Sequence, residues 1–254
     1  VAIYKRGKDE SRSYICTGTI VSSKKIVTGI RTSLSCVKKV FYSDFLSTAA
    51  HCVHEIQASD VTNARDLILF LGAFDLTDNF ELERMVLAPS EVVVNKDWNP
   101  YTERFTGDIA ILILENEIQF TKYIRPVCLM TEDFGIVDGV VVGWGKSEDT
   151  SKIHENIPKM LKLPIKSDGE CYREDFRFAA IAWEKSFCAG KPGVGVCRGD
   201  SGGGFFIKIR NKFYFKGFVS SSFNSDTGCN TKNYAIYTDV VKYAEFIGIQ
   251  AGML

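Results

Sequence analysis

Net charge is the first thing this sequence lacks: 31 basic residues stand against 31 acidic ones over 254 positions, without a long run of either sign. A chain with no basic surplus has no electrostatic footprint for a phosphate backbone, so no nucleic-acid partner is expected. Long apolar runs are missing too. The stretch at 109–114 is among the longest, far below the roughly 20 residues that a membrane-spanning helix needs, and no membrane partner is expected. Histidine is scarce, at positions 51, 54 and 154 only. Cysteine is present eight times, but without the repeated Cys-x-x-Cys spacing of metal sites. That points to disulfides and an oxidising compartment, with no metal and no cofactor expected. With 45% apolar residues the chain has enough for a substantial core, as one large all-β unit or two small barrels.

What is present is concentrated in three places. Near the C-terminal end the chain reads Cys197-Arg198-Gly199-Asp200-Ser201-Gly202-Gly203-Gly204. A serine among glycines has tight turn geometry and room for a substrate, and a nucleophilic hydroxyl needs both if backbone N–H groups are to receive the oxyanion it creates. It also needs a base, and an acid to orient that base. Thr48-Ala49-Ala50-His51-Cys52 supplies a histidine, and Gly107-Asp108-Ile109-Ala110-Ile111-Leu112 supplies an aspartate entering an apolar strand, where a carboxylate must have a partner. Each motif alone has an ordinary reading, as a structural histidine beside a cysteine or a turn aspartate before a strand. Together, in the order His, Asp, Ser, they match one of the known triad arrangements. His54 and His154 are read as solvent-facing polar residues.

On these motifs the sequence resembles the chymotrypsin-like (S1) serine endopeptidases from about Val1 to its end. The resemblance implies an all-β fold of two antiparallel six-stranded β-barrels with a C-terminal α-helix. The first barrel would cover about 1–120 and the second about 121–254, with the boundary within 115–131. The residue pattern is compatible with that. Segments 13–27, 67–74, 85–94, 108–114, 140–145, 160–165, 205–209, 213–219 and 234–238 carry strand-type residues. Arg210-Asn211-Lys212 reads as a hairpin turn, and Val240, Tyr243, Ala244 and Ile247 recur at helical spacing.

The same resemblance implies that His51 takes the proton from Ser201 Oγ, that Asp108 holds the imidazole, and that the N–H groups of Gly199 and Ser201 form the oxyanion hole. Ser220 would support the buried aspartate, and Asp200 would pair with a freed N-terminal ammonium when a zymogen is activated. Disulfides are implied between Cys16 and Cys52, Cys171 and Cys188, and Cys197 and Cys229. Cys128 matches a cysteine that ties the catalytic domain to an upstream regulatory chain in secreted relatives, whereas another family bridge is missing at both ends, at Gly139 and Ile207. Expected partners are a protein substrate, that upstream chain and an inhibitor of the serpin type, in an extracellular setting. The run around Ser201, with Gly204 where proline is usual, looks like those of modular invertebrate immune or developmental proteases.

Three features depart from the family pattern. Gly195 stands at the base of the primary pocket where trypsin-like members have aspartate, and Ser222 and Ala235 stand on its wall where many relatives have glycine. An uncharged, narrowed pocket for a medium apolar P1 residue such as leucine is therefore expected. The start, Val1-Ala2-Ile3-Tyr4, resembles the first strand of the fold and not the Ile-Val-Gly-Gly activation terminus, so the chain reads as an N-terminally truncated part of a secreted zymogen. Residues 29–48 read as an insertion, because without them Lys25-Ile26-Val27-Thr28 would run directly into Ala49-Ala50-His51 as one strand. Both ends of that segment can be encoded with GT and AG at intron borders in frame, so a retained intron that carries Cys36 is the expected origin. The alternative to a protease is a non-catalytic homologue acting as a binding cofactor, which the start and the insertion favour and the intact triad opposes.

Overall fold

The computed structural model describes residues 1–21, 45–102, 104–130, 132–147, 154–181, 184–222, 229 and 234–250. Eight strands build the first barrel: β1 (Ala2–Arg6), β2 (Arg12–Thr17), β3 (Thr19–Ile20), β4 (Phe45–Thr48), β5 (Leu67–Leu71), β6 (Met85–Leu87), β7 (Pro89–Val94) and β8 (Ala110–Leu114). They form two antiparallel four-stranded sheets, β2-β1-β5-β6 and β3-β4-β8-β7. Only Gly18 separates β2 from β3 and only Ala88 separates β6 from β7. Each of these pairs is one segment that turns a corner, so the two sheets join into a ring of six segments. The expected strand at 85–94 is broken at such a corner, and so is the described part of 13–27.

The second barrel consists of β10 (Asp138–Gly145), β11 (His154–Lys166), β12 (Ser186–Ala189), β13 (Gly204–Ile209), β14 (Lys212–Ser222) and β15 (Ala235–Asp239). Their order is β13-β10-β11-β12-β15-β14, and β14 pairs back onto β13, which closes the sheet. The β13–β14 hairpin turns at Arg210 and Asn211, at φ 46° and 65°, the left-handed values of a two-residue hairpin loop. Phe205, Ile207, Val219 and Tyr237 fill the interior. At the position of the missing family bridge, a Cβ on Gly139 would run into the Phe205 ring, so the aromatic core occupies that place.

A connecting segment crosses from one barrel to the other. Val127 N–H donates to Ile20 O at 3.0 Å, and β9 (Cys128–Leu129) pairs in parallel with Tyr214 and Phe215 of β14. Two short helices, α1 (Asp168–Glu174) and α2 (Phe178–Ile181), precede β12. A capping box of Ser167 and Glu170 starts α1. The chain ends in a 3-10 turn, Val240–Tyr243, and α3 (Ala244–Gln250). Val240, Tyr243 and Ile247 bury against the first barrel beside Ile111, Leu112, Phe215 and Phe218. This outer cover explains why β8 is apolar on both faces, with Ile111 and Leu112 fully buried. Among the described residues no helix is long and apolar enough to cross a membrane.

The insertion expected at 29–48 overlaps this framework. Its last four residues are β4, paired with Thr19 and Ile20 on one side and with residues 110–113 of β8 on the other. Phe45, Leu46, Ser47 and Thr48 are all fully buried, so this stretch is a barrel strand and not part of a loop. The remainder, 29–44, lies outside the described residues.

Candidate active site

The register of the first barrel sets the distance between the histidine and the aspartate. Thr48 at the end of β4 pairs with Ala110 at the start of β8. His51, three residues beyond one, and Asp108, two residues before the other, therefore leave the sheet side by side. His51 lies in a 3-10 turn at Ala50–Cys52. Its backbone N–H donates to Asp108 Oδ1 at 2.9 Å, and its Nδ1 lies 3.0 Å from Oδ2 and 3.1 Å from Oδ1. The Asp108 side chain is fully buried, and 15% of the imidazole remains exposed. A carboxylate so placed favours the proton on Nδ1, an arrangement in which Nε2 can accept one.

The second barrel and the C-terminal segment complete the support of Asp108. Ser220 Oγ of β14 donates to Oδ2. Thr238 Oγ1 of β15 donates to the Asp108 carbonyl at 3.0 Å, and Tyr243 Oη accepts from Gly107 N–H at 3.0 Å. Trp98 and Phe105 stand beside the imidazole, with ring centroids 6.5 and 5.8 Å away.

Ser201 comes from the loop that enters β13. Its carbonyl accepts from Thr17 N–H at 2.9 Å, and the adjacent Cys16 is bridged to Cys52, the neighbour of His51. One hydrogen bond and one disulfide thus tie the serine segment to the histidine segment. Gly202 holds φ at 72°, and a Cβ there would run into the Thr17 carbonyl and Thr48 Oγ1, so only glycine fits after this serine. Gly199 holds φ at 94°, and its carbonyl accepts from Tyr14 Oη at 2.8 Å. Burial pushes the Tyr14 hydroxyl well above its ordinary pKa, so it acts as a neutral donor. Among the described residues, no hydrogen bond engages the N–H of Gly199 or of Ser201.

Asp200 is buried under that loop at 1% exposure. Its Oδ1 accepts from Gly145 N–H at 2.8 Å; its Oδ2 accepts from Cys197 N–H at 2.9 Å and lies 3.0 Å from Lys159 Nζ. Burial pushes its carboxyl up, while Lys159 and the two N–H donors pull the other way, and the net displacement is upward. Gly143 and Gly145 of β10 make the space, because a Cβ on either would strike the Asp200 carboxylate.

Of the residues expected to line the pocket, Ser222 and Ala235 are register partners across β14 and β15. Gly195 is half-buried beside the buried Val196. The bridges Cys16–Cys52, Cys171–Cys188 and Cys197–Cys229 are present, with Cα separations of 6.0, 6.6 and 5.1 Å. Cys128 is disulfide-bonded as well. His154 is half-buried against the Tyr14 ring, 4.9 Å between centroids, and is not simply solvent-facing. Cys16, His51 and Cys52 cluster within 4.8 Å, but both sulfurs belong to the disulfide and one imidazole does not make a metal site.

Sequence reasoning missed Lys159, Tyr14, Thr238 and Tyr243, whose contacts are long-range and carry no local motif. Gly143 and Gly145 had a weak local signal in Gly-Trp-Gly at the end of an apolar strand.

Comparison with known proteins leads to the same class. Residues 39–247 match the family model described as Trypsin, and the chain belongs to that family. The matched stretch includes β4. The chain is 26% identical to serine protease gd of Drosophila melanogaster over a 275-residue alignment, covering 93% of this chain and 48% of the relative. It is 29% identical to the complement C1s subcomponent of Rattus norvegicus, with coverage of 79% and 30%, and 29% identical to vitamin K-dependent protein C of Mus musculus, with coverage of 84% and 45%. It spans less than half the length of each of these relatives.

Proposed function

We propose that this chain is a serine endopeptidase domain that hydrolyses peptide bonds through an acyl-enzyme on Ser201. The observation that carries this reading is the buried Asp108 carboxylate, which takes the His51 backbone N–H and faces the His51 ring nitrogen while Ser220 caps its other oxygen. In that setting His51 Nε2 accepts the Ser201 proton as Oγ attacks the substrate carbonyl, and returns it to the leaving amine. The N–H groups of Gly199 and Ser201 receive the oxyanion, and water then releases the acyl group by the reverse sequence. The disulfides support an oxidising, extracellular setting, and the similarity to a complement subcomponent supports a place in a cascade of proteases that begins from zymogens.

A fluorophosphonate probe is expected to label the folded chain, and Ser201→Ala to abolish that labelling. Labelling that persists in the variant would place the nucleophile elsewhere. A folded parent chain that is not labelled would defeat the catalytic reading.

The proposed pocket has no acidic group at position 195, and Ser222 and Ala235 narrow its wall. Rejection of a P1 arginine, which would be left without a buried counter-charge, should exceed the ~1 to 3 kcal/mol that one methylene of fit contributes. Peptides differing only at P1 are therefore expected to rank leucine above arginine in kcat/KM, with phenylalanine close to leucine. A maximum at arginine would show that an acidic side chain reaches the pocket from another segment.

A further inference from the structure

We propose that Lys159 is a positioning residue for catalysis: its ammonium, reaching from β11, anchors the Asp200 carboxylate and so fixes the backbone that presents the N–H groups of Gly199 and Ser201. The inference rests on the protease reading above and goes beyond it by naming a side-chain cation that anchors the loop of the proposed oxyanion site.

The argument starts from the loop. Asp200 is its hub: its N–H donates to Cys197 O at 2.9 Å and its carbonyl accepts from Gly203 N–H at 2.8 Å, while its Oδ2 takes the Cys197 N–H. Residues 197–203 are therefore wound around one side chain. Gly199 and Ser201 are the two neighbours of that hub, and the direction of their N–H groups follows from where the Asp200 carboxylate is held. A carboxylate at 1% exposure needs a compensating charge. Among the described residues, the cation in contact with it is Lys159, 3.0 Å away.

Lys159 is also well placed to be rigid. Its Nζ donates to the Lys146 carbonyl at 2.7 Å, and Lys146 N–H donates to Arg198 O at 2.9 Å, inside the nucleophile loop. Its backbone is opposite Gly143, one of the two glycines under the carboxylate. The ammonium thus joins β11, the segment after β10 and the loop itself, with 20% of the side chain exposed. Replacing it by an apolar side chain leaves the carboxylate to take up a proton or to swing outward, and either change reorients the 197–203 backbone.

The test compares Lys159→Met and Lys159→Arg with the parent chain, using a peptide ester substrate and the fluorophosphonate probe. Lys159→Met is expected to lower kcat on the order of 10²-fold, the effect of one misplaced oxyanion donor, with KM changed by less than about threefold. Lys159→Arg keeps the charge and is expected to recover most of the loss. The double variant Lys159→Met with Asp200→Asn removes charge and partner together; it is expected to restore the melting temperature if the single variant folds poorly, but not the turnover. Turnover of Lys159→Met within about threefold of the parent, or full turnover in the double variant, would overturn the proposal. Backbone amide resonances of Gly199 and Ser201 give a readout that needs no catalysis. They are expected to shift in Lys159→Met, and unshifted resonances would overturn the positioning role even if the parent chain is not labelled by the probe.

Discussion

Asp108→Asn is expected to lower kcat by about 10⁴ while the barrel stays folded. The carboxylate has three polar groups around it: the His51 backbone N–H, the His51 ring nitrogen and the Ser220 hydroxyl. An asparagine fits the same space, but with its oxygen kept on the His51 backbone N–H its NH₂ takes the Oδ2 position, where it donates to Ser220 Oγ and faces the imidazole Nδ1. Nδ1 must then accept, the ring proton moves to Nε2, and the base that should face Ser201 is lost. The imidazolium formed during acylation also loses its counter-charge at a site where Asp108 has no exposed surface. Stability should change little, because the substitution removes a buried charge along with the need to compensate it. Single-turnover acylation with a peptide ester, together with a thermal melt, separates the two effects. A folded Asp108→Asn variant that acylates within about tenfold of the parent would sink the assignment of His51 and Asp108 as a catalytic pair.

The parts of this site that were legible in the sequence are those in which the chemistry and the chain are local. The glycines around Ser201 stand next to it, and Asp108 is conspicuous because a charge precedes six apolar residues. Lys159 is different. Strand β11 carries lysines at 159, 162 and 166, and only the pairing of β11 with β10 brings the first of them beneath the nucleophile loop. The corners at Gly18 and Ala88 were illegible for a related reason. Strand-type residues continue through them, and a strand that changes sheets keeps its composition while its hydrogen-bond partners change. The capping box at Ser167 and Glu170 was a local signal that could have been read, and α1 follows from it. The three bridges came from family likeness, since cysteine spacing alone does not decide connectivity.

The strand before His51 shows best where composition fails to decide, and it yields the second large effect. Lys25-Ile26-Val27-Thr28 and Phe45-Leu46-Ser47-Thr48 stand twenty positions apart, and either could lead into Ala49-Ala50-His51. The structure uses the second. Phe45 has no exposed surface, pairs with Ile113, and packs in the core cluster with Val21, Leu69 and Leu112. Its carbonyl accepts from Val21 N–H at 3.2 Å, and Thr48 Oγ1 at the other end donates at 2.9 Å to the carbonyl of Thr17, the residue whose N–H holds the Ser201 carbonyl. Putting residues 25–28 in the same register would place Lys25 where Phe45 is buried, and an unpaired ammonium there is strongly disfavoured. Phe45→Ala is therefore expected to destabilise the domain by ~3 to 5 kcal/mol, as expected for a large cavity in a barrel that relaxes only partly. It should reduce turnover as well, through His51. Equilibrium urea unfolding of the parent and variant measures the difference directly. A cost below about 1 kcal/mol, in the range of a surface substitution, would mean that Phe45 is not in the core and that residues 25–28 take the place of β4.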